Sequence, residues 1–88
     1  MSGMGELSGL PNVGAVLEQQ LQEAGISTAA QLHALGSKQA WLKIRQIDSS
    51  ACLHRLYALE GAIQGVKKSQ LPPEVRAELL EFFRAQTK

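Results

Sequence analysis

Hydrophobic residues recur along this chain at three- and four-residue intervals, the spacing of an amphipathic helix, from residue 13 to residue 83. No segment alternates apolar and polar residues as a half-buried strand would. The pattern predicts an all-α domain of about five short helices in a compact orthogonal bundle. The faces predicted to be buried carry Val13, Val16, Leu17, Leu21 and Ala24; Ala29, Leu32 and Leu35; Trp41, Ile44 and Ile47; Cys52, Leu53, Leu56, Leu59 and Ile63; and Val75, Leu79, Phe82 and Phe83.

Glycine and small polar residues mark the predicted helix ends. Gly25, Gly36 and Gly65 follow the first, second and fourth helices, where glycine is a common stop. Ser37 is predicted to cap the third helix, and residues 48–50 the fourth, which is expected from about 50 to 65. Pro72 and Pro73 separate the fourth helix from the fifth.

The domain is predicted to occupy residues 10–88, because residues 1–9 are rich in Gly and Ser and show no period. We expect those first residues to be a flexible lead-in. Nine Lys and Arg against eight Asp and Glu give a net charge of +1. This balance excludes a strongly basic domain that binds nucleic acid by bulk charge.

The cysteine and histidine residues of the chain indicate no disulfide, metal site or catalytic site. The single cysteine, Cys52, cannot form an internal disulfide and is expected as a small buried hydrophobe in a reduced, cytoplasmic protein. His33 and His54 lack a metal-ligand spacing. No stretch reaches the roughly 18 apolar residues of a membrane span, and no signal peptide is recognisable. We expect no metal, no cofactor and no catalytic residue.

The turn before the first helix is the first candidate site. Residues 10–14, with sequence LPNVG, resemble the hairpin of a helix-hairpin-helix motif, and Asn12 stands where glycine is usual. Asn tolerates the left-handed backbone better than most residues. One interpretation is that the turn from Asn12 through Val13 and Gly14 to Ala15 binds phosphate through its backbone amides. The other is an ordinary turn that starts a helix and buries Val13.

Lys38 is the second candidate, because it lies at the predicted start of the third helix, after Gly36 and Ser37. A cation at the positive end of a helix dipole is slightly unfavourable unless an anion meets it. Lys38 is therefore a candidate phosphate or DNA contact, the alternative being a solvated lysine beside a cap.

Glu60 falls within the apolar face of the fourth helix. A carboxylate buried there without partners costs several kcal/mol, so we expect a structural pairing with Trp41, with Arg45 or with free amides at a helix start. A catalytic role would need a second acid, a base or a metal, and none is apparent.

Small residues form another face of the fourth helix, at Ala58, Gly61, Ala62 and Gly65. Gly inside a helix costs about 1 kcal/mol relative to Ala, which indicates a packing reason for Gly61. The face is expected to contact either a partner protein or another helix of this chain.

Several short blocks, in order, are similar to the C-terminal domain of the TfoX/Sxy family. They are LPNVG at 10–14, AGIST at 24–28, LGS at 35–37, AWL at 40–42, LYALEGAI at 56–63 and LP at 71–72. The resemblance implies an all-helical fold, helix-hairpin-helix-like or SAM-like, in a bacterial protein. It also implies a context of natural competence, in which members promote transcription together with a cyclic-AMP-responsive activator.

Two functions follow as expectations. The first is a non-enzymatic interaction module that contacts a transcription-related protein through the small face of the fourth helix or the exposed side of the third. The alternative is a sequence-nonspecific DNA-binding module that contacts phosphates through the turn and Lys38.

Overall fold

Five α-helices and one short 3₁₀ turn make up the fold of the computed structural model, which describes residue 7 and residues 9–86. No strand is present within those residues, so the predicted all-α class is confirmed. The elements are α1 (Ala15–Glu23), α2 (Ala29–Leu35), α3 (Ser37–Ile47), α4 (Leu53–Gln64), the 3₁₀ turn (Lys68–Gln70) and α5 (Pro73–Gln86).

Helix α4 lies at the centre of the bundle. It packs against α2, α3, α5 and the 3₁₀ turn, and α1 and α2 pack against α3. The radius of gyration is 12.1 Å, close to the roughly 12 Å expected of a compact chain of this length. The helices therefore bury one shared core.

Trp41 anchors that core. Its side chain is fully buried on α3, and the Phe82 and Phe83 rings of α5 meet it edge-on, with ring centroids 6.0 and 5.6 Å away. Leu7 is also fully buried, so the packed core begins before the predicted boundary at residue 10. The rest of the predicted flexible lead-in lies almost wholly outside the described residues.

Three residues predicted to be buried are exposed. Val16 keeps 69% of its surface and Ile47 45%, because each lies at the end of a helix, beyond the packed turns. Cys52 is exposed because α4 begins at Leu53, so Cys52 precedes the helix and does not belong to its apolar face.

Two segments that were predicted to cap helices have other roles in the structure. Ser37 is the first residue of α3 rather than its cap, and Gly36 takes the capping position with φ +88°. Residues 48–50 do not cap α4. Instead the Ser50 N–H donates to Asp48 Oδ1 at 3.0 Å, which makes a tight turn between α3 and α4.

Candidate functional site

Asn12 fastens the turn at residues 10–14 to the far end of α4. Its backbone is left-handed, with φ +68°, as its place in the motif predicts. Its Nδ2 donates to the Val66 carbonyl at 3.0 Å, and the Lys68 N–H donates to its Oδ1 at 3.0 Å. Because both ends of the carboxamide are occupied within the domain, the Asn12 side chain has a structural role, and the phosphate contact through the backbone amides of the turn stays a prediction.

Gly61 makes that attachment sterically feasible. A Cβ at this position would lie 2.6 Å from the Val66 carbonyl oxygen and would overlap Asn12 Nδ2. Ala58 and Ala62 on the same helix are also buried, at 6% and 1% exposure. The small residues of α4 therefore pack inside the chain. A partner surface at Ala58, Gly61 and Ala62 is incompatible with this burial.

Gly65 does not belong to that buried face. It is exposed and ends α4 with a left-handed backbone at φ +77°. Its helix-ending role agrees with its place in the sequence, and its conformation is the reason that glycine suits the position.

The remaining residues of the turn divide between core and surface. Val13 is 6% exposed, and its N–H donates to the Leu10 carbonyl at 3.3 Å. Gly14 and Ala15 are exposed at the start of α1, where they line a shallow depression with His54, Arg55 and Lys68 among others. Of the four residues in the predicted phosphate contact, Asn12, Gly14 and Ala15 therefore line surface depressions, whereas Val13 is buried.

Lys38 is not part of this depression. Its ammonium lies 2.8 Å from Glu78 Oε2 in an ion pair and 5.6 Å from the centroid of the Phe82 ring. The depression that Lys38 lines shares no residue with those beside Asn12. The structure therefore does not bring Lys38 together with residues 12–15, and an acidic side chain of the same chain supplies the anion that its position requires.

Lys68 is the basic residue that sequence reasoning missed here. It lines two neighbouring depressions, both of which it shares with Asn12. Its sequence signal is the adjacent pair Lys67 and Lys68 after α4, a position that also suits the negative end of the α4 dipole. We call the exposed region around these depressions the Asn12 surface; it comprises Pro11, Gly14, Ala15, Val16, Cys52, His54, Lys67 and Lys68.

Glu60 links α4 to the start of α3. The Ser37 hydroxyl donates to Glu60 Oε1 at 2.6 Å, and the Gln64 amide donates to Oε2. The two predicted side-chain partners are wrong, because both are engaged elsewhere. The Trp41 indole donates to the Cys52 carbonyl at 3.2 Å. Arg45 donates to the Gln86 carbonyl at 3.1 Å. Glu60 is half-buried rather than buried as expected, and it joins α4 to the start of α3 through the Ser37 hydroxyl.

Asp48 is a second structural carboxylate, and the sequence indicated only a helix cap. It accepts hydrogen bonds from the Ser50 hydroxyl and N–H, from Arg55 and from Gln20. These donors, led by the Ser50 hydroxyl, hold the pKa of the Asp48 carboxyl well below its usual value. The side chain therefore connects α1, the loop after α3 and the start of α4.

The described residues offer no grouping of three His, Cys, Asp or Glu side chains that could hold a metal ion. Within the same part of the chain, no helix is both long and apolar enough to cross a bilayer. What the described surface presents is a set of shallow depressions rather than an enclosed cavity.

Comparison with known proteins assigns the fold to a family. The family model of the TfoX C-terminal domain matches residues 4–83. This chain belongs to that family. The chain is 42% identical over 76 residues to Protein Sxy of Escherichia coli (strain K12), a match that covers 86% of this chain and 36% of Sxy. The domain therefore corresponds to about a third of the curated relative it matches.

Solved structures share the architecture of this TfoX C-terminal domain. A crystal structure of an uncharacterized protein from Listeria monocytogenes, in a triclinic form, is 49% identical and superposes with a TM-score of 0.90, covering 91% of each chain. A tetragonal form of a Listeria monocytogenes protein of unknown function, also 49% identical, gives a TM-score of 0.89 and covers 91% of this chain and 98% of that one.

Proposed function

We propose that this domain is a non-enzymatic interaction module that acts by contacting another protein in the regulation of transcription and competence. Family membership and the similarity to Sxy support the regulatory context. In this proposal the domain works in the cytoplasm, and its partner is a protein of the transcription machinery or its activators.

The near-neutral charge of the domain favours protein contact over DNA contact. The net charge of the whole chain is only +1. Two of its cations are also paired: the Lys38 ammonium with Glu78, and the Arg55 guanidinium, which lies 3.1 Å from Asp48 Oδ2. A weak overall positive field gives little of the nonspecific attraction on which DNA binding by bulk charge depends. This near-neutral charge is the observation that carries the proposal.

A chimera with Sxy tests the regulatory role. The region of Sxy that this domain matches is replaced by this chain, and transcription from an Sxy-dependent promoter is measured. We expect activation to be retained. A chimera with Trp41→Ala, which removes the core anchor, is the inactive control. A wild-type chimera that accumulates to normal levels and still fails to activate would contradict the proposal.

DNA binding remains a second candidate, favoured by one observation. Gly14 and Ala15, at the positive end of the α1 dipole, share a depression with His54 and Lys68. A labelled random duplex, titrated at about 50 and about 200 mM salt, separates the two functions. Micromolar binding that collapses with salt would support the DNA function, whereas no binding at low salt supports the protein-contact function.

A further inference from the structure

The Asn12 surface carries positive charge that no acidic residue of the described chain neutralises. Lys67 and Lys68 are exposed, and among the described residues neither belongs to an ion pair. No Asp or Glu lines either of its depressions. The first turn of α1 adds the positive end of a helix dipole. A negatively charged partner therefore meets no repulsion from the residues that line this region.

The same surface also exposes apolar side chains. Val16 is the more exposed of the two large apolar residues left open in the described structure, at 69%, and it lines a depression together with the exposed Cys52. A nucleic acid backbone gains little from covering a valine. A protein segment that combines carboxylates with an apolar side chain complements both features.

The backbone beneath this surface is already held in place. Asn12 ties the turn before α1 to Val66 and Lys68, so the start of α1 and the 3₁₀ turn keep a set spacing. A partner therefore does not have to order these elements when it binds, which removes a cost that flexible surfaces carry.

We propose that the Asn12 surface binds an acidic segment of a protein partner, with carboxylates facing Lys67 and Lys68 and an apolar side chain covering Val16. This inference rests on the proposed function, and it names the surface and the chemistry of the partner.

The test uses a synthetic amphipathic helical peptide with Glu on one face and Leu on the other, titrated into the isotope-labelled full chain. NMR amide shifts locate the binding site. We expect shifts at residues 14–16, 52–55 and 67–68. The variant Lys67→Glu/Lys68→Glu is expected to weaken binding about tenfold, because rim charges of the wrong sign repel the peptide. Lys43→Glu, an exposed lysine on α3 outside this surface, is the matched control.

A second pair of variants tests the apolar component. Val16→Ser is expected to weaken peptide binding, whereas Ile47→Ser, the other exposed large hydrophobic residue, leaves it unchanged. The same peptide with Gln in place of Glu is expected to bind far more weakly than the acidic one. Circular dichroism shows whether each variant keeps its helices. Val66 and Lys68 retain the backbone groups that bond Asn12 in every variant.

Several outcomes would overturn the inference. They are the absence of shifts at the Asn12 surface, equal loss of binding in the Lys43→Glu control, and tighter binding of duplex DNA than of the peptide at this surface. The Sxy chimera separates the two proposals. If the wild-type chimera is active and the Lys67→Glu/Lys68→Glu chimera is equally active, the surface is wrong and the proposed function stands. An inactive wild-type chimera would contradict the proposed function itself.

Discussion

Replacing Gly61 with alanine is expected to destabilise the domain, although alanine is the better helix former. Gly61 lies inside α4 and is buried. A Cβ there would lie 2.6 Å from the Val66 carbonyl and would displace the Asn12 amide. Real side chains do not tolerate such contacts, so either the chain after α4 or the turn before α1 must move.

The size of the effect follows from three contributions. Alanine recovers about 1 kcal/mol of helix propensity. Overpacking a filled site costs about 1–3 kcal/mol. Displacing Asn12 loses its bonds to Val66 and Lys68, each worth about 1 kcal/mol. The net loss is about 2–4 kcal/mol, which lowers the melting temperature of a domain this size by about 10–20 °C.

Thermal unfolding followed by circular dichroism measures this change. Gly14→Ala is the open-space control, because no atom lies within 4 Å of its Cβ position. Asn12→Ala completes a double-mutant cycle. With the carboxamide gone, both of its bonds are already lost, so the Gly61→Ala substitution is expected to cost about 2 kcal/mol less than in the wild type. A Gly61→Ala protein that melts at or above the wild-type temperature would refute the argument from close packing.

Three further substitutions test the polar links and the core. Asp48→Asn is expected to destabilise the domain most at about pH 7, by a margin that begins to shrink only as the pH falls below about 4, where the unfolded carboxyl is protonated. The pKa of Asp48 is lower in the folded state than in the unfolded state, so the carboxylate stabilises the fold above its unfolded pKa and loses that effect as the pH falls. Urea unfolding measures the difference in stability between the wild type and the variant. A difference that does not change with pH contradicts this prediction. Glu60→Ala leaves the Ser37 hydroxyl without its acceptor and is expected to cost about 1–2 kcal/mol, with Glu60→Gln costing less. Equal melting temperatures for the wild type and Glu60→Ala argue against it. Trp41→Ala removes a fully buried indole at a cost of about 3–5 kcal/mol, so we expect the variant to lose its cooperative fold. A circular dichroism melt that still shows cooperative unfolding would contradict this.

Helix-period reasoning works best where several turns of a helix face the same neighbours. Leu17 and Leu21 are buried on α1, and Trp41 and Ile44 on α3, as their spacing predicts. Helix-period reasoning fails at Val16, Ile47 and Cys52. A helical wheel assumes that the helix includes every residue of the pattern, which is not true of Cys52, and that a neighbouring element covers the whole length of the helix, which is not true at Val16 and Ile47.

The candidate site was less predictable than the helices. The left-handed backbone of Asn12 is indicated by its position in the turn, but the bonds of its side chain reach residues more than 40 positions away. Lys38 and Glu78 are likewise 40 residues apart. Nothing in the local pattern shows that these groups meet, so the sequence left Lys38 open between a phosphate contact and a solvated lysine, where the fold places a carboxylate of the same chain beside it.

The order of apolar, glycine and capping residues by itself determined that the chain is all-helical and about where each helix lies. Those properties depend on neighbours within one or two turns, and such neighbours are adjacent in the sequence. Only the tertiary structure decided which polar groups are free. The side chains of Asn12, Lys38 and Glu60 find their partners in distant parts of the chain, whereas the ammonium groups of Lys67 and Lys68 form no ion pair among the described residues. Whether a charge can serve a partner depends on what the folded chain places beside it.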